Sequence, residues 1–234
     1  SKKLVLLPRG SYKTSVISQV YVLWKIVHSP NIRILLDSEV LQNSLNNLTV
    51  SRGFLESGER LRRLYGNHAS KTWKQEFFTS GKRTNLALRD PTVMAAGLES
   101  IQIGPHYEVI ICDDLHSEKN TRTKERIDEV YEHIKLLFAL LEPGGELIIL
   151  GTRWADLDAY GRIIEKHKDF RCLIRPSILE DGSLYFPTRL NHKFLEEQKD
   201  QLGTALFNAQ YQNDPMPSGS AARFQKEWFR HDSS

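Results

Sequence analysis

Short, uninterrupted runs of apolar residues, separated by longer segments of helical character, constrain the fold of this 234-residue chain more than any other feature. The runs have no helical period, which is typical of strands that are buried on both faces. Parallel strands covered by helices on two sides have this pattern, so we predict an α/β domain with a mostly parallel central sheet. The runs are residues 4–7, 32–36, 109–112 and 147–150.

The segments between these runs predict helices. Residues 14–27 are apolar on nearly every face and indicate a buried helix, whereas residues 123–141 have the 3–4 spacing of an amphipathic helix. Residues 39–64 are expected to be mainly helical, with a break near Ser57 and Gly58. Further strands are expected near 93–96 and 170–174, and further helices near 158–167, 192–199 and 204–211.

The composition favours a globular domain without membrane or disulfide support. The chain has 32 basic and 29 acidic residues, a mild excess that does not by itself indicate a nucleic-acid partner. Cys112 lies in an apolar run and is expected in the core rather than in a disulfide. No apolar run approaches the roughly 18 residues of a membrane span, and no signal peptide pattern is seen, so a cytosolic setting is expected.

The turn after the first run has the character of an anion site. A strand, a tight turn and a helix start direct backbone N–H groups and the helix dipole to one point. Lys13 could reach the outer phosphates of a nucleotide there, and the hydroxyl of Thr14 could bind Mg²⁺. Both glycines of the usual phosphate loop are absent, since Leu7 and Tyr12 occupy their places. An ordinary strand-to-helix turn with a surface lysine is therefore the alternative.

Two acids, Asp113 and Asp114, follow the run at 109–112. In open α/β sheets, ligands bind at the carboxyl ends of the strands. One carboxylate could hold Mg²⁺ through water, and the next could orient or deprotonate an attacking water. The alternative is a pair of helix-capping residues. The α/β units between the two motifs would let the acid-bearing strand lie beside the lysine loop.

The run at 147–150 also ends in polar groups, at Gly151, Thr152 and Arg153. Thr152 could sense the terminal phosphate of a nucleotide, and Arg153 could relay its state. The alternative is a simple exit from the strand, with Trp154 as a packing residue.

Taken in order, these motifs resemble the ATPase domain of phage terminase large subunits. Arg9, four residues before Lys13, resembles the basic residue of the glycine-poor phosphate loop of that family. The resemblance also includes Asp113-Asp114-Leu115-His116, Gly151-Thr152-Arg153-Trp154 with Asp156, Asp158, Gly161 and Arg162, Phe186-Pro187, and the segment at 207–215. The chain departs from the family pattern at Tyr12, at Asp114 in place of Glu, and at 104–106, where a basic residue is often found.

The resemblance implies a fold and a domain organisation. It implies a P-loop NTPase of the ASCE, RecA-like type, a three-layer sandwich, over residues 1–176. A small C-terminal lid or linker subdomain would occupy residues 177–234, with a linker stretch at 215–219. It would lead to a nuclease domain whose acids are not found in this chain.

The resemblance also implies the roles of the site residues. Asp113 would hold Mg²⁺ with Thr14, and Asp114, or less readily Glu118, would position the attacking water. Gly151, Thr152 and Arg153 would couple hydrolysis to movement. The phosphates of ATP would be held by Pro8, Arg9, Gly10, Ser11, Tyr12, Lys13 and Thr14, with Lys13 and Arg9 also catalytic.

The function implied is an ATP-driven motor that packages double-stranded DNA into a viral procapsid in the host cytoplasm. Its expected partners are DNA, the portal protein and the small terminase subunit, with a homo-oligomeric ring on the capsid and no membrane association. A neighbouring subunit would supply an arginine, so the isolated, monomeric domain is expected to be a weak ATPase. The candidates for such an arginine are Arg83, Arg89, Arg122 and Arg126.

Two other functions fit parts of the sequence. The Asp113-Asp114-Leu115-His116 segment resembles the acid–acid–x–His box of one helicase class, but such enzymes need two motor domains. The missing glycines would also suit a degenerate site in a DNA-binding or assembly module. Basic residues at 60–63 and 82–89, with Trp73, Phe77 and Phe78 between them, could contact DNA or could form a solvated charged face.

Overall fold

The computed structural model describes residues 1–70, 73–100 and 104–215, and strands alternate with helices through most of this part. The strands are β1 (Lys2–Leu6), β2 (Ile34–Ser38), β3 (Phe77–Phe78), β4 (Val93–Gly97), β5 (Tyr107–Asp113), β6 (Leu141–Gly151) and β7 (Phe170–Ile174). Helix α1 is a π-helix over Ser15–Tyr21 and an α-helix over Val22–His28. The other helices are α2 (Leu41–Ser57), α3 (Glu59–Tyr65), α4 (Lys124–Leu140), α5 (Ala159–Lys166) and α6 (His192–Gln212).

One sheet with the strand order β3-β4-β2-β5-β6-β1-β7 organises the described residues. Every neighbouring pair is parallel except β3 and β4, which confirms the predicted mostly parallel α/β fold. Strand β6 lies between β1 and β5, so the strand before the lysine turn and the strand bearing the acids are not direct neighbours. Their carboxyl ends nevertheless open on the same edge of the sheet.

Alternate residues of each central strand enter two separate cores. On β5, Ile110 and Cys112 pack with apolar residues of α4 and α5, whereas Val109 and Ile111 pack with those of α1 and α2. Since side chains of a strand alternate between its faces, a strand covered on both faces is apolar throughout. This is the reason that the sequence showed uninterrupted apolar runs, and it makes the domain a three-layer sandwich.

The outer face of α1 is exposed, contrary to the prediction of a helix buried on nearly every face. Val16, Val20 and Trp24 are 57%, 61% and 51% exposed. They are spaced by four residues and therefore share one side of the helix, while Val22, Leu23 and Ile26 face the core. The composition of the segment could not reveal that only one side meets the sheet.

The residues after β7 pack around a third apolar cluster. Leu190, Leu195, Phe207 and Tyr211 form its buried centre. Helix α6 is bent at Gly203, which has a φ of 75°, so the two helices predicted at 192–199 and 204–211 are halves of one kinked element. The proposed linker lies largely outside the described residues, and the boundary at 176 remains a prediction. Among the described helices, none is long and apolar enough to cross a membrane.

The segment after the acid pair is fastened to the start of α5. The backbone N–H of Leu115 donates to the hydroxyl of the buried Tyr160 at 3.0 Å. The backbone N–H of Ala159 donates to Nε2 of His116 at 2.9 Å, and Nδ1 of His116 lies 3.0 Å from Oδ1 of Asn120. A ring that accepts at Nε2 is neutral with its proton on Nδ1. Burial favours the same form and lowers the pKa of His116.

The absence of a side chain at Gly151 makes room for the ring and hydroxyl of Tyr160. A β-carbon on Gly151 would lie 2.6 Å from the Tyr160 hydroxyl, whereas one on Gly53, inside α2, would meet nothing within 4 Å. We expect Gly151→Ala to lower the free energy of unfolding by about 1–3 kcal/mol. We expect Gly53→Ala to raise it by about 0.5–1 kcal/mol, because alanine favours a helix. Urea denaturation measures both, and equal effects would contradict the packing described.

His116 makes the stability of the domain sensitive to acid. In the unfolded chain its pKa is about 6.5, and in the folded chain it is lower. Its contribution to stability is therefore complete above about pH 6.5 and is lost as the pH falls towards the folded pKa. Glutamine can accept a hydrogen bond but does not titrate. Thermal denaturation from pH 7.5 to 5 should show wild type losing stability relative to His116→Gln, and parallel pH profiles would refute this.

Candidate active site

The turn between β1 and α1 contains two residues with a positive φ. Gly10 and Tyr12 have φ values of 82° and 60°, both in the left-handed region. Tyr12 stands where the usual pattern has glycine, and a residue with a β-carbon pays roughly 1–2 kcal/mol for this conformation. The turn therefore has a left-handed residue at position 12 although this residue is a tyrosine, whose presence in the sequence spoke against a phosphate loop.

Contacts from the C-terminal segment hold Tyr12 in place. Nη1 of Arg189 donates to the Tyr12 hydroxyl at 2.7 Å, and the guanidinium lies 4.6 Å from the centre of the Tyr12 ring. The ring of Phe186 meets Tyr12 edge-on, with 6.0 Å between centroids. A cation over an aromatic ring and an edge-to-face pair are both favourable, and they offset the backbone strain.

Asp113 and Thr14 are hydrogen-bonded to each other, although β6 separates β5, which ends at Asp113, from β1, which precedes Thr14. The hydroxyl of Thr14 donates to Oδ1 of Asp113 at 3.1 Å, and the hydroxyl of Ser18 donates to Oδ2 at 2.7 Å. The Asp113 side chain is only 5% exposed. Burial, and after it the charge of Asp114, raise the pKa of Asp113 to about 6, although the two hydroxyl donors oppose this.

Asp114, the residue after Asp113, lies beside Lys13 and the turn at residues 8–14, which we call the phosphate turn after its predicted role. Its backbone is left-handed, with a φ of 51°, and its side chain is 45% exposed. Nζ of the buried Lys13 lies 3.7 Å from Oδ1 of Asp114, close enough for ionic attraction but beyond hydrogen-bond distance. The carboxylate can therefore still accept a hydrogen bond from water.

Two cavities lie on either side of Asp114. The cavity at the phosphate turn has a volume of about 260 Å³ and is lined by the basic side chains of Arg9, Lys13 and Arg189 together with the turn. Three cations around N–H groups suit a polyphosphate. The second cavity, of about 320 Å³, is polar and is lined by Thr14, Ser38, Asn43, Asn46, Asn47, Asp113 and Asp114.

The oxygen atoms between these cavities fit a divalent cation. Mg²⁺ is usually bound by one or two carboxylates and by phosphate oxygens, with water completing the shell. The hydroxyl of Thr14 and Oδ1 of Asp113 are hard oxygen donors 3.1 Å apart, as that arrangement requires.

Arg9 lies at the margin of this site, whereas Glu118 does not line it. The Arg9 side chain is exposed at one wall of the smaller cavity and donates to Oε1 of Gln210 at 3.1 Å. Glu118 forms an exposed ion pair with Arg122 at 2.6 Å, and it lines neither of the two cavities beside Asp114. The catalytic role considered for Glu118 remains a prediction without a contact to support it.

Gly151 is the last residue of β6, the strand between β1 and β5, and Thr152 and Arg153 follow it. The guanidinium of Arg153 is bound to Asp158, with 3.0 Å between Nε and Oδ2, and does not line either cavity. The backbone N–H of Arg153 donates to Oδ1 of Asn213 at 3.2 Å, just after α6. The Arg153 segment thus connects the centre of the sheet to the C-terminal segment.

Sequence reasoning missed several residues of the site. Ser18 carried a weak signal, because it lies four residues after Thr14 and therefore on the same side of the helix. Asn47, Arg189 and Gln210 carried none, since only the tertiary fold brings them to the turn.

Comparison with known proteins gives a sequence relative. No family model matches the chain. The terminase large subunit of enterobacteria phage T3 is 22% identical over 205 residues, which cover 86% of this chain. The chain spans about a third of that relative, 34% of its length.

Solved structures of phage large terminases are similar in fold to this chain. The large terminase ATPase domain of Thermus phage P74-26 matches with a TM-score of 0.58 at 13% identity, over 92% of this chain and 88% of that chain. A large terminase from a thermophilic bacteriophage, in complex with ADP, matches with a TM-score of 0.54 at 11% identity, over 91% of this chain and 47% of that chain. The chain therefore has the fold of phage large-terminase ATPase domains, and the resemblance predicted from its sequence is confirmed.

Proposed function

We propose that this domain hydrolyses ATP with Mg²⁺ and uses the energy to move double-stranded DNA into a procapsid. The observation that carries the proposal is the convergence of Lys13 and Thr14 with Asp113 and Asp114 at one edge of the sheet. The fold shared with phage terminases, one of them in complex with ADP, supports it.

The phosphates of ATP would enter the cavity at the phosphate turn. Lys13 would contact the outer phosphates, and Arg9 would leave Gln210 to contact the terminal phosphate or report its state. Backbone N–H groups within residues 9–14 would bind the remaining oxygens, although those of Arg9 and Ser11 donate to Gln210 and Pro8 in this structure. Groups preorganised around a phosphoryl stabilise the charge that develops during its transfer, which is the main source of catalysis in this class.

Thr14 and Asp113 would hold Mg²⁺, which would neutralise charge on the phosphate oxygens. Asp114 would accept a hydrogen bond from the attacking water and orient it. Its short side chain and left-handed backbone place the carboxylate 3.7 Å from the Lys13 ammonium.

The wider role is also proposed from the resemblance. The domain would act in the host cytoplasm with the portal protein, the small terminase subunit and further copies of itself in a ring. Residues from 177 onward would form the lid or linker. Among the candidates for an arginine acting on a neighbouring subunit, Arg83 is only half-exposed, whereas Arg89, Arg122 and Arg126 are exposed and suit that role better.

The test of the enzymatic part is ATP turnover by the isolated domain. Lys13→Ala and Asp113→Ala are each expected to lower kcat at least about 100-fold, because each removes a charge that stabilises phosphoryl transfer. Lys199→Ala, which removes an exposed lysine of α6, serves as the control and should leave kcat unchanged. Turnover near the wild-type rate in either site variant would exclude the mechanism.

The DNA part is supported by a basic surface on α3. Arg60, Arg62 and Arg63 are exposed, and Lys82 approaches the end of α3 at Gly66, so the two basic segments of the sequence adjoin. Phe78 belongs to the core and is fully buried, so it cannot stack on bases as the sequence suggested.

The DNA part is tested by the salt dependence of duplex binding. If Arg62 and Arg63 each neutralise one phosphate, changing both to alanine should reduce the slope of log K against log[salt] by about 2. Arg171→Ala removes an exposed arginine of β7, at the opposite edge of the sheet, and should leave the slope unchanged. An unaltered slope in the double variant would show that Arg62 and Arg63 do not contact the DNA phosphates.

A further inference from the structure

Asp113 is held on both oxygens, by groups that belong to different elements. Oδ1 accepts from Thr14, whereas Oδ2 accepts from the hydroxyl of Ser18 at 2.7 Å and from Nδ2 of Asn47 at 3.4 Å. Ser18 is fully buried and Asn47 is nearly so. The carboxylate therefore has one oxygen beside the phosphate turn and the other committed to buried donors.

The donors to Oδ2 are themselves fixed in orientation. Ser18 lies on the π-helical part of α1, four residues after Thr14, so both hydroxyls reach the same carboxylate. The amide of Asn47 accepts at Oδ1 from Nε2 of Gln19 at 3.0 Å, which turns its NH₂ group towards Asp113. Ser18 thus holds the Asp113 carboxylate directly, and its neighbour Gln19 holds it through Asn47 of α2.

We propose that Ser18 and Asn47 are positioning residues that occupy Oδ2 of Asp113 and so direct Oδ1, with the Thr14 hydroxyl, towards nucleotide-bound Mg²⁺. This inference rests on the proposed function. A carboxylate free to rotate would offer either oxygen and would lose entropy on binding the ion. Residues that orient a metal ligand through hydrogen bonds contribute about 10–100-fold to metal affinity.

The experiment measures binding of a non-hydrolysable ATP analogue by calorimetry, with and without Mg²⁺. In Ser18→Ala and in Asn47→Ala, the gain in affinity that Mg²⁺ confers should fall about 10-fold or more, and half-saturation should need more Mg²⁺. Affinity for the analogue without Mg²⁺ should stay at the wild-type value, since the phosphate turn is untouched. Ser51→Ala removes a buried hydroxyl of α2 that makes no hydrogen bond among the described residues and lines neither cavity, and it should keep the full gain.

The possible results separate this inference from the proposed function. A wild-type domain that fails to bind the analogue would contradict the proposed function itself. Normal wild-type binding, with the full Mg²⁺ gain retained in both variants, would overturn only the positioning role. Equal loss of affinity with and without Mg²⁺ in both variants would also overturn it, because it would show a general structural role.

Discussion

The hydrogen bond between Thr14 and Asp113 is the contact on which the site depends. It joins the helix after β1 to the end of β5, across β6, and so it requires the strand order that the sheet adopts. A buried carboxylate is costly unless donors surround it. The hydroxyls of Thr14 and Ser18 supply these donors, although burial still raises the pKa of Asp113 to about 6.

The C-terminal segment reaches the same turn from the opposite side. Arg9 bonds to Gln210 through both its backbone and its side chain, and Tyr12 lies beneath Arg189. Asn213, just after α6, bonds to the Arg153 segment at the end of β6. A phosphate that drew the Arg9 side chain away from Gln210 would break one contact between the turn and this segment.

Much of the fold could be predicted because the physical cause was local. Each buried strand was visible as an apolar run, and the break between α2 and α3 at Gly58 was visible as a glycine. What depends on tertiary packing was not visible. The exposed side of α1 and the burial of Phe78 depend on which neighbours cover them. Arg189 reaches Tyr12 from 177 residues away, and His116, which suggested a helicase box, caps α5 instead.

A crystal structure of the domain with Mg²⁺ and a non-hydrolysable ATP analogue tests the central claim most directly. The account predicts the triphosphate within the turn at 9–14, with the ion between the Thr14 hydroxyl and Oδ1 of Asp113. A triphosphate bound at any other cavity, or an ion bound to Asp113 neither directly nor through one water, would contradict it.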